Sequence, residues 1–76
     1  MTVHDMQDDP DSVHFLGPFE DSGTRPASLR VTGPVTAGDF VHVRGQRGVT
    51  LQYRVEGEVT VDGDWQTVHL AYVPIH

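Results

Sequence analysis

The chain contains no cysteine, no lysine and no asparagine. Without cysteine there is no disulfide, no thiolate metal site and no thiol nucleophile. Its absence leaves the redox compartment open. The missing lysine and asparagine read as a bias of coding composition and not as chemistry. No apolar run approaches the roughly 20 residues that a membrane span needs. Asp5, Asp8 and Asp9 stand where a secretory signal needs a basic start and an apolar block. The expectation is a cytoplasmic protein, or part of a particle assembled in the cytoplasm.

Size is also scarce. The chain has 76 residues, enough for one small domain. A chain of this order buries only about 60% of the surface that its unfolded form exposes. Domains this small are usually held by disulfides, metals or association. With no thiols available, self-association or a protein partner is the expected remedy.

Charge is unevenly placed. Residues 1–21 carry Asp5, Asp8, Asp9, Asp11, Glu20 and Asp21 with no arginine, which accounts for the whole net charge of −6. Beyond them, Asp39, Glu56, Glu58, Asp62 and Asp64 balance Arg25, Arg30, Arg44, Arg47 and Arg54. Residues 1–12 therefore read as an acidic N-terminal arm, and residues 13–76 as a single β domain. Alone, the arm has too little apolar surface to offset the entropy of ordering, so a mobile tail is the expectation.

What the sequence does contain is a long stretch of strict alternation. Across residues 49–61, Val49, Leu51, Tyr53, Val55, Gly57, Val59 and Val61 alternate with Thr50, Gln52, Arg54, Glu56, Glu58 and Thr60. A strand buries one face with this pattern, and a helix cannot use it. Unbroken alternation through Gly57 favours a bend or bulge there over a turn.

Two hairpins follow from the turn chemistry. A loop of Gln46, Arg47 and Gly48, with Gly48 left-handed, pairs Val43 with Leu51 and Val41 with Tyr53, both inward. A two-residue loop of Gly63 and Asp64 pairs Thr60 with Thr67, Val59 with Val68, Glu58 with His69, Gly57 with Leu70, Glu56 with Ala71 and Val55 with Tyr72. Each flanking strand is expected to cover one half of the long strand. Residues 12–20 predict a short edge strand with Val13 and Phe15 on one face. Residues 21–27 read as a loop by composition, and residues 28–32 as a further strand with Leu29 and Val31 inward. The fold class is all-β: a small five- to six-stranded barrel or sandwich, SH3-like or OB-like, around a long bent strand at 49–61.

No motif carries chemistry. Ser12, Ser22 and Ser28 lie in or beside loops outside any nucleophile-elbow pattern. Asp62 and Asp64 flank a hairpin glycine and read as turn formers. The glycines show no phosphate-loop spacing. The five histidines, His4, His14, His42, His69 and His76, form none of the short-spaced pairs of a zinc site. The expectation is a non-enzyme without metal or cofactor.

Two surfaces remain. Trp65, Thr67, His69, Ala71 and Val73 share an outward parity, and the apolar members need cover. Either Val13, Phe15 and Phe19 fold over them, or they dock another chain, a role for which tryptophan is favoured. Phe40, His42, Arg44, Arg47 and Arg54 share another outward face. Arginine and an aromatic there suit single-stranded nucleic acid, but the net negative charge opposes it. The leading expectation is a protein–protein or assembly module: a homo-oligomer subunit, or an accessory or decoration protein of a larger particle such as a virion. The alternative is a single-stranded nucleic-acid-binding barrel, with the acidic arm as an internal competitor. A weaker alternative is an inhibitor of a host enzyme acting through that arm.

Overall fold

A computed structural model describes residues 2–75. The strands are β1 (Val3–Asp5), β2 (Val13–Phe15), β3 (Thr24–Leu29), β4 (Phe40–Arg44), β5 (Thr50–Asp62) and β6 (Trp65–Tyr72), with short 3-10 turns at Pro10–Ser12 and Gln46–Gly48. They form one sheet in the order β1-β4-β5-β6-β3-β2, curled into a half-barrel.

The concave side holds the core. Ala27, Leu29, Val41, Val43, Tyr53, Val55, Val68 and Leu70 are buried there, with Met6 and Val35 closing the edges. These are the alternate residues of four strands, so the pleat itself sorts them to one side. Val59 and Leu51 pack against this cluster from partly buried positions. Val49 and Val61 share the parity but lie where the curl has run out, and both are exposed.

The β4–β5 hairpin has the expected register: Val41 faces Tyr53 and Val43 faces Leu51. Gly48 has φ +74°, and Arg47 is also left-handed at φ 60°. A side chain in that region is uncommon, and the three-residue turn imposes it.

The β5–β6 hairpin departs from expectation in its body. Its tip is as read, with Asp62 facing Trp65 and Thr60 facing Thr67. Between Thr60 and Glu56 the register slips by two, so Glu56 faces His69, Val55 faces Leu70 and Arg54 faces Ala71. The expected pairs Glu58–His69, Gly57–Leu70, Glu56–Ala71 and Val55–Tyr72 are thus corrected. Gly57, at φ +73°, lets β5 take up extra residues in a bulge, a conformation that costs a side chain about 1–2 kcal/mol. A slip of two leaves every side chain on its original face. β6 accordingly flanks both halves of β5, whereas β4 flanks only the first.

The loop reading of residues 21–27 is also corrected. Thr24–Leu29 is a strand between β2 and β6, with Pro26 inside it. Pro26 is tolerated because the β2–β3 ladder ends beside it. Its carbonyl accepts the Leu16 N–H at 2.9 Å, and the N–H that proline lacks would point to that same side.

Residues 3–5, within the expected mobile arm, lie in the sheet as β1, parallel to β4, with His4 beside Val41 and Asp5 beside His42. The Phe40 N–H donates to the Thr2 carbonyl (2.9 Å) and the Met6 N–H to the His42 carbonyl (2.8 Å). Met6 is buried and enters the core cluster.

Candidate interaction surfaces

The N-terminal strand is held at a polar clasp. Asp39 is buried just before β4. Its carboxylate lies 2.9 Å from His4 Nε2 and accepts the backbone N–H groups of Thr2 (3.1 Å) and Thr36 (3.0 Å). The His4 bond, with the two N–H donors, holds the Asp39 carboxyl well below the usual carboxylate range. A second clasp closes the other flank. Gln66, buried on β6, accepts the Val35 N–H and donates to the Gly33 carbonyl, each at 2.9 Å. Among the described residues no buried side-chain nitrogen or oxygen lacks a partner. Both groups are therefore fully engaged in holding the fold.

The outer face of β4 and β5 brings the expected residues together. Phe40 faces Arg54 across the strands, His42 faces Gln52, and Arg44 faces Thr50. Their charges are already engaged. Arg54 pairs with Glu56 at 2.7 Å and Arg44 lies 3.7 Å from Asp8. His42 shares a 2.9 Å hydrogen bond with Gln52. Asp5 sits beside His42 in β1; its carboxyl is lowered chiefly by the Gln7 N–H and side-chain amide, with smaller help from His42 and Arg44. Arg47 stands apart, in the hairpin turn.

The outer face of β6 presents Trp65, Thr67, His69 and Ala71, all half-buried, with Val73 just beyond the strand. Trp65 is covered from the N-terminal segment, as one expectation had it, but by a different residue. His14 stacks on its ring at 4.7 Å, and the Arg30 guanidinium lies 5.3 Å from the ring centre. Phe15 and Val13 point to the other face, because β2 alternates as any strand does. His69 faces Glu56, and the nearest carboxylate is that of Glu20 at 3.8 Å.

A third surface went unforeseen. At the end of the half-barrel where β2 and β6 terminate, Phe15 packs on Tyr53 (5.7 Å) and Tyr53 on Tyr72 (5.6 Å). The Arg25 guanidinium lies 3.9 Å over the Phe15 ring and 5.4 Å from Phe19. The Arg25 Nε–H donates to the Gly17 carbonyl at 3.1 Å, fixing its direction. Only Tyr53 is buried; Phe15 is 37% exposed, and Phe19 and Tyr72 are each 48% exposed. Leu16, next to Phe15 in the chain, is more exposed still. The parity of Phe15, Tyr53 and Tyr72 could have signalled this row. The slip of two hid it, because Tyr72 faces Tyr53 only once the bulge is known.

No three described His, Asp or Glu side chains converge on a point where a metal could sit. His76 lies outside the described residues. No described helix is long and apolar enough to cross a membrane. No protein-family model matches the chain, and neither a curated protein nor a solved structure matches it.

Proposed function

We propose that this half-barrel, of the small SH3-like or OB-like kind, is a non-enzymatic protein–protein interaction module working as a subunit of an assembly. The observation that carries the reading is the aromatic row around Arg25. Tyrosine, phenylalanine and arginine are the residue types enriched at the centres of protein interfaces. The exposed Phe15 and Tyr72 rings each pack on buried Tyr53, and Phe15 also lies against a guanidinium fixed by a backbone bond. Rigid rings lose little conformational freedom on docking, which favours association. The thin core supports the same reading, since burial of this end would add apolar area that the domain lacks.

The Trp65 face supports docking less well, because His14 and Arg30 already shield its largest ring. Oligonucleotide binding through Phe40, His42, Arg44, Arg47 and Arg54 also has less support. Asp8 and Glu56 stand beside two of its arginines, where phosphates would have to displace them. Inhibition of a host enzyme through the acidic arm is weakened because β1 is already part of the sheet.

The test compares the native chain with a Phe19→Ala/Tyr72→Ala variant by light scattering over a concentration series and by chemical crosslinking in extract. The native chain is expected to self-associate or retain a protein partner. The variant is expected to do neither, while unfolding within a few degrees of the native chain. A native chain that stays single at about 1 mM and retains nothing overturns the reading.

A further inference from the structure

The second half of β5 carries an open backbone edge. β4 accompanies β5 over Thr50–Arg54, and Gly38 and Asp39 extend that side to Val55 through two backbone bonds of 2.8 Å. Thr60, Val61 and Asp62 pair with β6 on one side, residues 57–59 span the bulge, and among the described residues none of 57–62 has a backbone partner on the other side. Such an edge is a template for an added strand.

The flanks of this edge state what kind of strand it suits. On the concave side lies a cleft of about 720 Å³, whose valines Val31, Val35, Val59 and Val61 are joined in the lining by Arg30, Asp9 and Asp64, acids outnumbering the one cation. Val61 is 68% exposed there. Around the hairpin tip stand Glu58, Asp62 and Asp64, all exposed, and no described cation lies within 4 Å of any of them. A second copy of the chain is a poor occupant. Antiparallel pairing centred on Thr60 sets Glu58 opposite Asp62 twice, and like charges across a ladder repel.

We infer that residues 57–62 receive an extended segment of a partner protein in which arginine or lysine alternates with small β-branched residues. The added strand completes the hydrogen-bonding row of β5. Its basic side chains meet Glu58 and Asp62, and its valine or threonine side chains enter the cleft over Val59 and Val61. This site is separate from the aromatic row, so either can fail without the other.

The test titrates the full isotope-labelled chain with an acetylated, amidated heptapeptide alternating arginine and valine, followed by amide NMR. A heptapeptide alternating glutamate and valine is the control. Saturable shifts are expected to centre on residues 57–62, with slowed exchange of their open amides. Affinity should fall as salt rises, because the pairs are solvent-exposed. Glu58→Lys/Asp62→Lys should weaken the arginine peptide about tenfold, as two exposed ion pairs become two repulsions. It should also admit the glutamate peptide. The inference is overturned by an arginine peptide that does not saturate at millimolar concentration, that shifts residues elsewhere, or that binds the charge-reversed variant equally well.

Discussion

The two halves of β5 share one alternating pattern and have opposite fates. In the first half β4 lies on one side, β6 joins on the other from Tyr53, and Tyr53 and Val55 are buried. In the second half, among the described residues, only β6 pairs with β5, over Thr60, Val61 and Asp62, and Val59 and Val61 are left half-buried and exposed. Alternation therefore states which way a side chain points. Whether it is buried depends on how many strands flank it, and that is decided by residues far away in the sequence.

The largest expected effect separates the halves directly. Leu70→Ala, opposite Val55 in the double-flanked region, should destabilise by about 2–5 kcal/mol. Val61→Ala should change stability by no more than about 0.5 kcal/mol. Urea unfolding of both variants checks this; equal losses would erase the distinction.

Asp39→Ala comes next, because Asp39 holds the flank of the first half. Its carbonyl accepts the Val55 N–H, while its side chain clasps Thr2, His4 and Thr36. Unpairing these groups should cost about 1–3 kcal/mol. The native carboxyl lies below its usual range, so its contribution is complete above the unfolded value of about 3.9. It declines as pH falls below that value and is gone once pH passes the native one. Stability against pH, measured between about 6 and 2, should therefore fall less steeply in the variant. An unchanged acid limb would contradict the clasp.

A smaller effect tests the boundary between the halves. An added Cβ at Gly57 meets nothing within 4 Å, so only its φ of +73° opposes a side chain. Gly57→Ala should cost about 1–2 kcal/mol by denaturant unfolding. A neutral or stabilising result would mean that β5 runs straight through this point.

The contrast also marks what was legible in the sequence. The all-β class, the long strand and the β4–β5 register follow from alternation and turn residues alone. The bulge at Gly57 was legible from the glycine within unbroken alternation, but its size was not, because a slip of two keeps every side chain on its face. β1 could not be read either. Its inward residue His4 is polar and is satisfied only by Asp39, 35 positions away. The strand at Thr24–Leu29 was hidden by Pro26, whose tolerance depends on where β2 stops. The aromatic row escaped for a combination of these reasons: Arg25 lay in a supposed loop, and Tyr72 reached Tyr53 only through the slip.

Amide hydrogen exchange along β5, followed residue by residue in the full chain, tests the contrast most directly. Slow exchange of successive amides at Tyr53 and Arg54, with fast exchange through the bulge at residues 57–59 and alternating exchange over residues 60–62, is the pattern expected of a strand flanked twice and then once. Uniform slow exchange from Tyr53 to Asp62 would contradict it, since it would require a partner on the edge left open.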